Sequence, residues 1–378
     1  MKVDFYRHGL SPADADAVAN VLGTPILTSG PVAREVEAQL RNFFDLPHAL
    51  LTNSWTNGAI ATLLALEIGE GDEVIVPAMT FIASANVVEL VGAKPVFVDV
   101  DPQTLLMTPE AVARALTERT RAVIPVHLYG QMVDMAGIRQ ALGGRPIAIV
   151  EDAAHCFEGT RDGDAPGTHS DAAIFSFYAT KNVACGEGGA IVTRRDDLAE
   201  RLRMTRLHGM SAGAADRYKK GSYRHWDMEV LGVKANLPDL LAALLPAQVE
   251  RVREVRERRQ SVANRYLAGL KDLPVQLPAI EAGVLHAWHL CTMGVELGWR
   301  DAAIGALNAR QIGVAVNYRS VPTLTWYRNK YGYRPEDFPV SWDWGERTIT
   351  LPTYPSLRPE EQEAVISAIR EDVVSLWT

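Results

Sequence analysis

The sequence predicts an α/β protein built on a mainly parallel sheet. Three observations carry that prediction. Short apolar runs rich in valine and isoleucine recur through the first two-thirds of the chain, the pattern of strands buried on both faces. Amphipathic stretches with helical spacing alternate with them, as in parallel-sheet proteins. The 378 residues exceed what one small core organises, so two domains are expected.

The strand candidates are Glu73–Pro77, Pro95–Val100, Ala122–Val126, Ile147–Val150, Ala173–Phe177 and Ala190–Thr193. Between them lie helical patterns at Arg34–Phe44, Asn57–Glu67, Pro109–Leu116, Met135–Leu142 and Leu198–Leu207. The stretch Leu207–Lys234 mixes glycine, serine, tyrosine and charge and reads as a long surface excursion, a place where function often sits. A helical region from Pro238 to Leu270 follows, interrupted near Pro246. Beyond it, His289–Glu296, Val314–Tyr318 and Thr348–Leu351 read as strands, and Asp301–Arg310 and Glu360–Leu376 as helices. These elements divide the chain into a large domain, residues 1–245, and a small C-terminal α/β domain, residues 246–378.

Composition excludes several functions. The net charge is −8, and hydrophobic residues make up 47%, an ordinary globular balance. The run Arg251–Arg259 alternates signs on a helical pattern and reads as a solvated face, not a nucleic-acid surface. Cys156, Cys185 and Cys291 are far apart and imply neither a disulfide framework nor a metal site. No apolar signal core or long apolar run occurs, so no membrane partner and a cytoplasmic location are expected. A nicotinamide-binding turn is also missing, because Gly69-Glu70-Gly71 precedes a strand instead of following one.

Four segments carry chemistry. In Ala173–Asn182 an apolar strand delivers Ser176 and then Lys181 to one loop, and Gly186-Glu187-Gly188-Gly189 follows. A lysine at a strand end can form an imine with an aldehyde cofactor when its surroundings lower its pKa. In Ile149–His155 a buried strand ends in Glu151 and Asp152, with His155 just beyond. Ligands of open α/β sheets gather at such strand ends. A carboxylate there can pair with a pyridinium nitrogen, or it can cap a helix. His155 can bond a phenolic oxygen of the cofactor or satisfy a buried polar site. Thr52–Gly58 places hydroxyls and amides before a helix, which suits either a phosphate or an ordinary cap. Phe81, after the strand end at Pro77, can stack on a flat ring or fill a core.

Together these segments resemble the DegT/DnrJ/StrS family of nucleotide-sugar aminotransferases, and the similarity runs nearly end to end. The most specific pieces are Gly71–Pro77, Glu151–His155, Phe175–Asn182 and Gly186–Gly189. The resemblance implies the fold type I architecture of pyridoxal-phosphate transferases, with a mainly parallel seven-stranded sheet. It implies pyridoxal 5′-phosphate as cofactor, with pyridoxamine phosphate as its intermediate form. Lys181 would hold the cofactor as a Schiff base and carry protons. Asp152 would pair with the ring nitrogen, Phe81 would stack on the ring, and Thr56, Asn57 and Ser176 would bind the phosphate. Asn236, in Gly232–Asp239, would reach the phosphate of a partner subunit, which implies a homodimer with shared active sites.

The resemblance is nearest to enzymes that aminate the C4 keto group of a nucleotide sugar, with glutamate as donor and 2-oxoglutarate as product. His286–Leu290 is one shared piece. Asn317 and Tyr318 are the candidate substrate contacts. Three positions depart from the family. Trp55 stands where a small residue is usual, and Asn317 and Pro322 stand where relatives often carry histidine. Two other readings are a related sugar dehydratase, disfavoured because those relatives replace the lysine by histidine, and a cofactor-binding regulator, for which no DNA-binding segment is present.

Overall fold

A computed structural model describes residues 1–211 and 225–378. Seven strands form the main sheet: β1 (His48–Thr52), β2 (Glu73–Pro77), β3 (Lys94–Val98), β4 (Thr120–Val123), β5 (Ala148–Asp152), β7 (Ala172–Ser176) and β8 (Gly189–Thr193), with the two-residue β6 (Thr160–Arg161) outside it. Their order is β1-β8-β7-β5-β4-β2-β3. The pairs β2–β3, β2–β4, β4–β5 and β5–β7 are parallel, and β8 is antiparallel to both neighbours. The sheet is therefore mainly parallel, as expected. Its inner strands are largely buried because helices cover both faces.

The helices of this part are α1 (Pro12–Leu22), α2 (Pro31–Phe44), α3 (Trp55–Ala65), α4 (Ala83–Leu90), α5 (Pro109–Ala115), α6 (Met135–Ala141), α7 (Asp196–Thr205) and α8 (Asp239–Ala242). The long α9 (Pro246–Leu270) leads into the C-terminal part. There β9 (Val284–Leu285) pairs with β6, and β10 (Cys291–Gly294) pairs antiparallel with β11 (Thr348–Leu351). Around them lie α10 (Arg300–Ala309), α11 (Thr325–Tyr331), α12 (Pro339–Arg347) and α13 (Pro359–Ala368). Three apolar cores flank the main sheet, and a fourth gathers Tyr266, Leu307, Ile349, Tyr354 and Val365 around β10 and β11. Among the described residues no helix is long and apolar enough to cross a membrane.

Every expected strand of the main sheet is present within about a turn's length of its expected bounds. The outer strand β1 and helices α1, α4, α11 and α12 were not expected. In β1 only Ala49–Leu51 are apolar, too short a run to signal a strand, and its register comes from pairing with β8. Helix α11 depends on Tyr327 packing edge-on to Phe97 at 5.2 Å. The expected strand Val314–Tyr318 is corrected: only Ala315 pairs, through one bridge to Thr350. The C-terminal helix ends as a regular helix at Ala368 and then changes to π and 3-10 turns. The run Arg251–Arg259 does lie on a helix, but Arg259 is 2% exposed. It is not part of a solvated face, because its Nη1 donates to the carbonyls of Trp288, His289 and Thr353. The middle of the Leu207–Lys234 excursion, residues 212–224, lies outside the described residues.

One side chain ties α2 to α8. Buried Asp239 accepts the amides of Gly30, Val32 and Ala33 at 2.7–3.1 Å, so a carboxylate supplies the cap that Gly30 lacks. Asp239→Ala leaves three amides without their acceptor and should cost about 2–4 kcal/mol. Urea unfolding of the variant checks this; a loss below about 0.5 kcal/mol would contradict the capping role.

Candidate active site

Strand geometry sets the site. Successive residues of a strand face opposite sides, so Glu151 and Asp152 at the end of β5 diverge. Glu151 is fully buried. Its Oε2 lies 2.6 Å from Nε2 of His127, and its Oε1 accepts the Gly167 amide. Asp152 instead lines a cavity of about 490 Å³ together with Lys181. Ser84 Oγ donates to Asp152 Oδ2 at 2.7 Å and the Ala154 amide to Oδ1 at 3.1 Å.

The loop after β7 carries the lysine. The Lys181 amide donates to the Tyr178 carbonyl, and the Cys185 amide to the Phe177 carbonyl. Gly186 has φ +88, a conformation that favours glycine. At Gly189 a Cβ would come within 2.7 Å of the Phe175 carbonyl oxygen and 2.9 Å of Ser54 backbone. Glycine there lets β8 pass directly behind the start of α3.

That start is the polar end of the cavity. Ser54 caps α3, accepting the Asn57 amide at 3.0 Å. The amides of Trp55 and Thr56 have no intrahelical acceptor. Ser54, Thr56 and Ser176 line the cavity here. Amides and hydroxyls at the positive end of a helix suit a phosphate. Phe81, 51% exposed, lines the cavity and lies 5.6 Å from the Tyr318 ring.

Electrostatics distinguish the two central groups. Burial pushes the Lys181 amine down to about 8, opposed by the Asp152 carboxylate. Burial raises the Asp152 carboxyl, against the Ser84 and Ala154 hydrogen bonds and the charge of Lys181. A buried carboxylate on a cavity wall, disfavoured by desolvation, is relieved by a cation placed in the cavity. A protonated ring nitrogen is such a cation. A lysine that loses its proton near neutrality is able to attack an aldehyde. With a phosphate cradle at one end and a carboxylate deep in the wall, these residues fit pyridoxal phosphate.

The structure brings together Thr56, Phe81, Asp152, His155, Ser176, Lys181, Asn317 and Tyr318 in this one cavity. Asn57 and Asn236 are not among its lining. The Asn57 side chain donates to Asn53, leaving its place at the helix start as its contribution. Asn236 donates to Ser29 Oγ at 2.7 Å and accepts from Lys234. Both nitrogens of His155 are engaged by protein: Nδ1 accepts the Tyr129 amide, and Nε2 lies 3.1 Å from the Tyr318 hydroxyl. His155 thus satisfies a buried polar site and presents its ring to the cavity. Arg319 pairs with Glu346 at the surface, away from the cavity lining.

Four participants were missed by sequence reasoning. Phe5 and Tyr6 line the cavity, and the Tyr6 hydroxyl bonds the Ala179 carbonyl next to the lysine loop. Nothing local in the first residues signals this. Ser84, which orients Asp152, lies 68 positions away from it. His289 lies 3.4 Å from Lys181; it stood within the shared piece His286–Leu290, a signal that was available but carried no role.

The profile of the DegT/DnrJ/EryC1/StrS aminotransferase family matches residues 10–370. Among solved structures, Spr1654 of Streptococcus pneumoniae in its PLP form, described as a sugar aminotransferase, is 29% identical with a TM-score of 0.92, covering 100% of both chains. DesV of S. venezuelae, solved with a ketimine intermediate, is 34% identical with a TM-score of 0.87, covering 95% of this chain and 93% of that one. The aminotransferase TlmJ from Streptoalloteichus hindustanus is 28% identical with a TM-score of 0.91 over 100% of both chains.

Proposed function

Because this chain belongs to the DegT/DnrJ/EryC1/StrS aminotransferase family, we propose that it moves an amino group from glutamate to the C4 keto carbon of a nucleotide-linked sugar. It is a pyridoxal-phosphate-dependent sugar aminotransferase. The observation that carries the assignment of roles is that Lys181, from the loop after β7, and Asp152, from the end of β5, share one cavity.

Pyridoxal phosphate, when bound, supplies an aldehyde that captures amines and a ring that accepts electrons. Lys181 holds it and afterwards takes and returns a proton at Nζ, a task suited to an amine with a pKa of about 8. Asp152 would pair with the ring nitrogen and keep it protonated. Ser176, Thr56 and the free α3 amides at Trp55 and Thr56 would hold the phosphate. Phe81 and His155 offer ring faces to a flat group. Asn317 and Tyr318, with Tyr6 and Tyr178 lining the same cavity, supply amide, hydroxyl and aromatic contacts of the kind a sugar ring takes. The C4 position and the nucleotide are supported by the local likeness at His286–Leu290.

A homodimer fits Asn236. It sits outside its own subunit's cavity, beside Ser29. Exposed Ile26 and Leu27 precede Ser29 in the chain, and exposed Leu231 precedes Asn236. These apolar residues suit burial by a second copy, from which Asn236 would enter the partner's phosphate site. The same reading divides the chain near residue 245, supported by the separate core around β10 and β11.

The test is an absorbance spectrum of the protein loaded with pyridoxal phosphate. Glutamate should bleach the visible band, and a 4-keto sugar nucleotide should restore it. Restoration by a 3-keto isomer alone, or equally by the sugar without its nucleotide, would overturn the corresponding part of the proposal. A band unmoved by glutamate but moved by another amino acid would overturn the donor.

A further inference from the structure

Among the described residues four histidines are buried: His127, His155, His286 and His289. Three of them accept a backbone amide at Nδ1, from Val133 at 3.2 Å, Tyr129 at 3.2 Å and Trp288 at 2.9 Å respectively. In a neutral ring that bond pins the proton on Nε2, which becomes a donor. His289 differs. Its Nδ1 is buried and without a partner, and its Nε2 lies 3.4 Å from Lys181 Nζ. Nothing obliges Nε2 to carry the proton. Of the four, only His289 is free to turn a lone pair outward from Nε2, the nitrogen that lies beside Lys181.

The ring is held in place from several sides. Arg259 Nη1 donates to the carbonyls of Trp288 and His289. The His289 ring packs 4.4 Å from that of His155. Burial, with the charges of Lys181 and Arg259, keeps its imidazole neutral well below the usual histidine range. Asp152, His155, Glu187, Tyr6, Tyr178 and Tyr318 line the cavity that Lys181 faces, and Arg259 lies behind His289.

We infer that His289 is a positioning residue for Lys181: its Nε2 lone pair accepts from the lysine nitrogen, aims it into the cavity and shares its charge while Lys181 carries a proton. No bond to carbon is made or broken by His289, and the proton stays on Lys181. A packing spacer of the same shape would give Lys181 no such support. The contact joins residues 108 positions apart.

The inference rests on the reading of Lys181 as the cofactor lysine, and the two can fail separately. The experiment follows the rate at which pyridoxal 5′-phosphate, added to protein freed of cofactor, becomes reducible onto Lys181 by borohydride, read by peptide mass across pH 6–10. The midpoint of that profile reports protonation of Lys181. In H289Q the amide oxygen reaches about where Nε2 stood, so the midpoint should stay within roughly 0.3 unit of the native one. In H289N the amide falls short, and in H289L no acceptor remains. Losing an acceptor destabilises the ammonium, so both midpoints should fall by about 0.5–1 unit. The Gln and Asn pair keeps the test alive if H289L fails to fold. Unchanged or raised midpoints in H289N and H289L, with native behaviour in the parent, overturn the inference alone. Trapping at some other lysine in the native protein overturns the reading of Lys181, and this inference with it.

Discussion

Lys181→Ala is expected to lower transamination by about 10³-fold or more, through loss of both cofactor capture and proton transfer. The fold should survive, because among the described residues the Lys181 side chain makes a single hydrogen bond, to His289. Phosphate and ring contacts remain, so the variant should still bind pyridoxal phosphate, but without the spectral band of a lysine-bound form. Single-turnover conversion of a keto sugar nucleotide, measured beside thermal unfolding, separates chemistry from stability. Turnover above about a tenth of native, in a folded variant, would remove Lys181 from the mechanism.

The second large effect concerns Asp152→Asn, for which turnover should fall by about 10²–10³-fold. The amide keeps the shape but cannot hold a proton on a ring nitrogen by charge. Stability should move the other way. The folded-state pKa of Asp152 lies above its ordinary value of 3.8. Its contribution to stability is therefore full below that ordinary value and is lost as the pH rises through the raised one. At pH 7 the native carboxylate is a cost that Asn does not carry. The Ser84 hydroxyl, 2.8 Å from Thr80 Oγ1, can turn to accept from the new amide. Cofactor-free D152N should thus be no less stable than the parent at pH 7, and the difference should vanish in acid. It should also lower the Lys181 midpoint, since the Asp152 charge raises it. A variant that loses activity together with several kcal/mol of stability would show Asp152 to be a structural group instead.

These two residues were legible in the sequence because each follows a buried strand. Apolar runs such as Ile147–Val150 and Ala173–Phe177 mark where a strand ends, and the open end of a parallel sheet is where ligands sit. The glycines at 186–189 were legible for a similar reason, since tight backbone approach leaves few alternatives to glycine. Elements with weak local signals were not legible. β1 takes its register from β8, and α12 depends on Trp344 sinking between the two parts of the chain, its Nε1 3.1 Å from Tyr129.

By itself the sequence determined the strand and helix alternation, the mainly parallel sheet, and the positions of Lys181 and Asp152 at strand ends. These depend on local periodicity, which burial on one or two faces imposes directly on the chain. Only the tertiary structure decided who meets whom. It paired Glu151 with His127 and left Asp152 to the cavity, and buried Arg259 under the carbonyls of Trp288, His289 and Thr353. It also set Asn236 beside Ser29 and placed His289 against Lys181. The reason is physical: periodicity reports that a side chain is buried, whereas its partner, its tautomer and its pKa depend on groups that arrive from distant parts of the chain.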